Sequence, residues 1–166
     1  MKKIVLDTFG ADKGVSVMVK GAVDSLALRK DTIVVLVGNE NEIKAELADC
    51  KYDKTRIEIV GAGEGITNEE SPTEAIRSKT DSSLVRALEI TKDDPLVAGM
   101  VSAGSTGAVL TGAVLIVGRI RGVRRPALCP LLPTQTGGKV CLIDCGANMD
   151  CSPEWLVQFA LMANDY

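Results

Sequence analysis

Residues 102–108 read SAGSTGA, set between the apolar runs Val97-Ala98-Gly99-Met100-Val101 and Ala108-Val109-Leu110. Three architectures accommodate such a stretch: a membrane span broken by small residues, a buried turn, or a loop from a strand into a helix. From Leu96 to Gly118 the chain carries no charge, which is long enough to cross a bilayer. Ser102 to Gly107 splits that run with polar and glycine residues into two short apolar pieces, which disfavours a span. Strand, loop and helix is the better fit.

The neighbouring sequence repeats that alternation. Lys2 to Leu6 reads as a strand and Val15 to Leu28 as a helix with apolar residues at helical spacing. Thr32 to Val37, TIVVLV, is too short for a helix and continuous enough to be buried on both faces. Asn41 to Leu47 reads as a helix and Arg56 to Val60 as a strand. Ser71-Pro72-Thr73-Glu74 predicts a helix start with a capping box, and Asp81-Ser82-Ser83-Leu84 starts another. Leu96 to Val101 is then a strand, Ser105 to Ile120 a helix, and Ala127 to Leu132 and Val140 to Ile143 strands. Ser152-Pro153-Glu154 opens a last helix. Strands alternating with helices predict an α/β domain over residues 1–166 with a mainly parallel sheet.

In that fold the loop at 102–107 faces a helix N-terminus, whose first N–H groups lack partners and favour anions. Glycine permits close approach, and Ser102, Ser105 and Thr106 add hydroxyls, so phosphate suits the loop. Spacing alone also allows Gly104 and Gly107 to serve only a tight turn. Gly61-Ala62-Gly63-Glu64-Gly65-Ile66 is no dinucleotide fingerprint, because isoleucine stands at the last glycine position and Glu64 repels pyrophosphate. Asp7 and Asp144 follow strands, at the edge where open α/β sheets bind ligands. Asp12 and Asp150 lie close after them in sequence and serve as loop or cap residues on the simpler reading. Arg119, Arg121, Arg124 and Arg125 form the one dense basic patch, a solvated helix end or a partner for phosphate.

Composition narrows the chemistry. Net charge is −3 and aromatic residues are 3%, so neither phosphate-backbone binding nor base stacking is served, and nucleic acid is not expected. The first apolar run ends at Asp7, too early for a signal peptide, which sets the cytoplasm as the expected location. Five cysteines form no closed disulfide framework, and Cys141, Cys145 and Cys151 lack metal-ligand spacing. Idle thiols are the plainer reading, with a nucleophilic Cys151 beside a helix start as the sharper one. Histidine is absent, which excludes Ser-His-Asp and Cys-His catalysis within the chain.

Taken together, DTFGAD (7–12), VSAGSTGA (101–108), RPALCPLLPT (125–134) and DCGANMDCSPEWLVQFALM (144–162), with SKTDSS (78–83) in support, closely resemble the acyl-ACP:phosphate acyltransferases of bacterial phospholipid synthesis. The first loop of that family usually reads Gly-Gly-Asp-His, where this chain has Gly10-Ala11-Asp12-Lys13. The resemblance implies a three-layer α/β/α fold like the isocitrate and isopropylmalate dehydrogenases, of which residues 1–166 are the N-terminal half, so that exposed apolar faces invite self-association. It implies transfer of a fatty acyl group from the thioester of acyl carrier protein to inorganic phosphate. It also implies a homodimer, peripheral contact with the inner face of the membrane, and neither metal nor cofactor. Phosphate acetyltransferases acting on coenzyme A thioesters are the nearest confusable group, and a non-catalytic binding fragment is a further alternative. Mapped onto this sequence, phosphate falls to Ser102, Gly104, Ser105, Thr106, Gly107 and Arg125. Asn148, Ser105 and Thr106 stabilise the reacting group, while Asp7, Gly10, Asp12, Asp144 and Asp150 shape the site behind it. Phosphate is already an anion at neutral pH, so a site without histidine needs only to desolvate and position it.

Overall fold

The computed structural model describes residues 1–166, which fall into two compact units, Met1–Val117 and Gly118–Tyr166. Each is described by itself.

In the first unit, four parallel strands stand in the order β3-β2-β1-β4: β1 (Lys2–Asp7), β2 (Thr32–Gly38), β3 (Ile57–Gly61) and β4 (Val97–Ser102). The β-branched run of β2 fills the sheet centre, and its alternation sorts side chains to two faces. Val34 and Leu36, with Leu6 of β1, meet α1 (Val15–Leu28) and α2 (Glu40–Ala48) through Val19, Ala22, Leu26, Ile43 and Leu47. Val35 and Val37, with Val5, meet Ala87 of α4 (Ser83–Asp93) on the other face. The sheet is therefore covered by helices on both sides, as the alternation predicts. A third cluster joins α3 (Pro72–Ser78), α4 and α5 (Thr106–Gly112) through Ile76, Leu84, Leu88 and Ala108.

Strand order fixes where a ligand can bind. The chain steps outward from β1 to β2 and β3, then returns to place β4 on the other side of β1. The connections after β1 and β4 therefore lead to helices on opposite faces, α1 and α5, and their first residues meet at the carboxyl edge, where Asp7 and Ser102 are in register.

Two local expectations change. Ser71 makes no side-chain cap bond, so the capping box does not form; Pro72, fixed at a helical φ, begins α3 without it. The helix expected over 105–120 is α-helical only to Gly112, continues as a wider π turn over Ala113–Val117, and stops at Gly118. Gly118 has φ +92°, which no helix residue adopts. No helix is long and apolar enough to cross a membrane.

In the second unit the expected strands are shorter and antiparallel: β5 (Leu131–Pro133) pairs with β6 (Lys139–Cys141). Residues 134–138 close the hairpin, with Thr134 N–H donating to Gly138 O and Gly138 N–H to Thr134 Oγ1. So short a connection cannot carry a parallel crossover. Pro126, Pro130 and Pro133 lack the N–H needed to extend the ladder. Past β6 the pairing survives as Leu142 N–H to Pro130 O and Cys145 N–H to Leu128 O. The unit ends in α6 (Pro153–Asp165), whose Phe159 is buried.

Candidate active site at the β1 and β4 ends

Asp7 closes β1 and is 2% exposed. Its Oδ1 accepts from the Phe9 N–H at 3.1 Å and its Oδ2 from the Ser102 hydroxyl at 2.7 Å. Ser102 Oγ in turn accepts from the Gly104 N–H at 3.1 Å. Burial drives the Asp7 pKa above the ordinary carboxylate value, and the hydroxyls of Ser83 and Ser102 and the Phe9 N–H only partly offset it. This chain of bonds ties the carboxylate to the bend after β4. Ser102 is thereby engaged within the loop, rather than standing free at its surface.

The two loops touch backbone to backbone. Gly10 has φ +90°, and a Cβ built on it would lie 2.5 Å from Gly104 Cα. Only glycine satisfies both demands. Thr8 anchors the strand exit, donating from N–H and from Oγ1 to Val37 O at 3.0 Å each.

Ser105 caps α5, its Oγ accepting from the Ala108 N–H at 3.4 Å. The N–H groups of Ser105, Thr106 and Gly107 make no hydrogen bond within the protein, as the first turn of a helix requires. Thr106 and Gly107 are exposed. Three consecutive donors are thus left without a protein partner at the start of α5. Ser105, Gly10 and Asp12 line a cavity of about 430 Å³ that Thr8, Phe9 and Ile66 also border. Its charged lining consists of Asp12, Glu42 and Glu69, with no lysine or arginine. An anion is repelled by that wall, and the amide end is where it can be held.

By contrast, the glycine run at 61–65 is satisfied internally. The Gly63 N–H donates to Asp81 O and Oδ2, each at 3.1 Å, and the next helix begins only at Pro72.

The second unit gathers the other predicted residues. Asp144 accepts from the N–H groups of Leu128 at 2.8 Å, Ala147 at 3.2 Å and Asn148 at 2.7 Å, and from Asn148 Nδ2 at 3.0 Å. Burial opposes its charge, but these donors outweigh burial and hold its pKa below the ordinary value. Asn148 Nδ2 also donates to Pro126 O at 2.9 Å. Residues 126–128 and 144–148 are therefore stitched together. Asn148 spends its amide hydrogens inside this turn, so donating to a substrate requires exchanging one of those bonds. Arg125 lies with its guanidinium 5.0 Å from the centroid of the Trp155 ring. Asp150 is exposed.

Sequence reasoning passes over Thr8, Phe9 and Trp155. Phe9 and Thr8 stand inside DTFGAD, and Trp155, the only tryptophan, follows the Ser152-Pro153 helix start at once.

The family model described as "Fatty acid synthesis protein" matches residues 2–166. The phosphate acyltransferase of Dictyoglomus turgidum is 48% identical over 99% of this chain and 48% of its own length. That of Clostridium perfringens strain SM101 is 46% identical, again over 99% of this chain and 48% of its own. The chain thus spans about half the length of the curated relatives it matches. A phosphotransacetylase crystal structure from Streptococcus pyogenes shares the fold at TM-score 0.66 and 18% identity, covering 96% of this chain and 51% of that one.

Proposed function

The chain belongs to the fatty acid synthesis protein family, and from that premise we propose that it forms the phosphate-binding half of an acyltransferase making acyl phosphate from inorganic phosphate and a fatty acyl thioester. One observation carries the reading: the unpartnered N–H groups of Ser105, Thr106 and Gly107 at the crevice between β1 and β4. They suit phosphate oxygens, and the Asp7–Ser102–Gly104 chain of hydrogen bonds holds the bend that presents them.

The chemistry follows from charge. A phosphate oxygen attacks the thioester carbonyl carbon and forms a C–O bond. The carbonyl electrons move to oxygen, then return as the C–S bond breaks and the thiolate leaves, to be protonated by solvent. No base is needed, because the nucleophile is already ionised. Fixed amides hold phosphate without reorganising as the reaction proceeds. The Ser105 and Thr106 hydroxyls supply further donors beside them. Asp7, Gly10 and Asp12 shape the loops of the first unit, and in the second Asp144 and Asn148 fix the turn at Pro126, next to Arg125. Acyl carrier protein is the thioester donor in this reading, and a homodimer is the working state.

The experiment compares thiol release from an acyl carrier protein thioester and from the matching coenzyme A thioester, each with and without inorganic phosphate. Phosphate-dependent release from the carrier protein is expected. Release only from coenzyme A reassigns the donor, and release that ignores phosphate overturns the reading.

A further inference from the structure

The hairpin of the second unit carries two thiols in contact. Cys129 Sγ lies 2.9 Å from Cys141 Sγ, less than about 1 Å beyond a covalent S–S bond. Sheet geometry explains the meeting. Leu131 stands opposite Cys141, and Cys129 is two residues away on the same face of its strand, a diagonal neighbour across the pair. The bonds from Leu142 N–H to Pro130 O and from Cys145 N–H to Leu128 O keep the two segments together beyond the regular ladder. Both cysteines are half-buried, so a small solute can reach them. The other thiols are engaged differently: Cys50 donates to Glu46 O and Cys151 to Asn148 O, while Cys145 is exposed.

We propose that Cys129 and Cys141 are a two-electron oxidation site, converted by a hydroperoxide to an intramolecular disulfide. The Cys141 thiolate attacks a peroxide oxygen, the O–O bond breaks, and the departing oxygen takes up a proton, leaving a sulfenic acid on Cys141. Cys129 then loses its proton and attacks that sulfur. The S–S bond forms and the sulfenic hydroxyl leaves as water. In sum, two thiols and one hydroperoxide give a disulfide, an alcohol (water, for hydrogen peroxide) and one water. Cys129, whose pKa is raised by its hydrogen bond to Cys141, suits the resolving role. The prior contact removes most of the entropic cost of bringing the sulfurs together. The product cross-links the strand entering β5 to the end of β6, three residues before Asp144. This site does not depend on the acyl-transfer reading.

The test treats the intact chain with stoichiometric hydrogen peroxide, alkylates the remaining thiols and maps peptides without reduction. Five alkylatable cysteines should fall to three, the protein should become lighter by two hydrogens, and the cross-linked peptide should contain Cys129 and Cys141. A thiol reductant should restore all five. Cys129→Ser and Cys141→Ser should each abolish the cross-link, whereas Cys50→Ser, Cys145→Ser and Cys151→Ser should retain it. Pairing of Cys141 with Cys145 or Cys151, a bond between two chains, five surviving thiols, or sulfinic acid without a cross-link would each overturn the proposal. Mapping of the wild-type chain decides the matter even if a variant does not fold.

Discussion

Replacing Thr106 with proline removes one N–H from the α5 N-terminus and leaves the helix able to form. Proline is welcome at the first helical position, since the N–H it lacks has no intrahelical acceptor there. Ser105, the residue before it, has φ −56° and ψ 116°, away from the α region that a following proline disfavours. Stability should therefore hold, or rise by up to about 1 kcal/mol. Phosphate affinity should not. A hydrogen bond to a charged acceptor contributes about 1.5–3 kcal/mol, so its loss weakens binding by about 10- to 150-fold. Thr106→Ala is the necessary partner variant, because it removes the hydroxyl and keeps the N–H. Titration of inorganic phosphate followed by calorimetry or phosphorus NMR, beside urea unfolding of each variant, separates the two contributions. Equal phosphate affinity in the proline and alanine variants, with both folded, would refute the assignment of this amide to phosphate.

Four other substitutions probe the scaffold. Gly10→Ala should cost about 2–5 kcal/mol, combining positive φ with the 2.5 Å approach to Gly104 Cα, whereas Gly14→Ala, with φ +76°, ψ −172° and open space, should cost about 1–3 for its backbone alone. Equal urea midpoints for the two would show that the loops do not press on each other. Ser102→Ala should cost about 1.5–3 kcal/mol by stripping a hydrogen bond from the Asp7 carboxylate. Asp7 binds its proton more tightly folded than unfolded, so its contribution is fully present below the unfolded pKa and is lost as pH rises through the folded value. Ser102→Ala moves that loss to higher pH, which urea midpoints across a pH series will record. Asp144 has the opposite sign: its depressed folded pKa adds stability above the unfolded value, near about 3.9, and that stability is lost as pH falls through the folded value. Asp144→Asn should therefore be the less stable chain at neutral pH and draw level with wild type in acid; a gap that persists there would remove the charge from the account.

Local pattern carried the sheet much further than it carried the site. TIVVLV could only be a doubly buried strand, and the alternation of runs with amphipathic helices left parallel packing as the simple solution, which the order β3-β2-β1-β4 realises. Patterning failed where a backbone exception decides the outcome. The apolar run past Gly112 looks helical to Ile120, yet its geometry changes to a π turn and ends at the positive φ of Gly118. The prolines at 126, 130 and 133 cut back a strand that hydropathy alone extends. Motifs did locate Asp7 and Ser102 on one edge, but not the bond between them, which joins residues 95 apart in sequence. Likewise Asn148 was legible as a motif residue, while the use of its amide hydrogens by Asp144 and Pro126 depends on how two segments fold onto each other.

Phosphate and water differ as nucleophiles chiefly in charge, and the arrangement at the crevice acts on that difference. Water must lose a proton to attack a thioester, and histidine, the usual acceptor near neutral pH, is absent from the sequence. Phosphate arrives ionised, so what it needs from the protein is a place where its negative charge is welcome. In the proposed reading Ser105, Thr106 and Gly107 provide one through backbone donors, while Asp12, Glu42 and Glu69 make the adjoining cavity inhospitable to an anion. Those carboxylates therefore narrow the anion's position to the start of α5 rather than spreading it through the cavity. Swapping acidic for neutral side chains along that wall would relax this restriction. Glu69→Gln should accordingly strengthen phosphate binding while broadening where phosphate sits, visible as a smaller affinity loss when Thr106→Pro is added. If the proline substitution costs the same affinity with and without Glu69→Gln, the acidic wall plays no part in placing the anion.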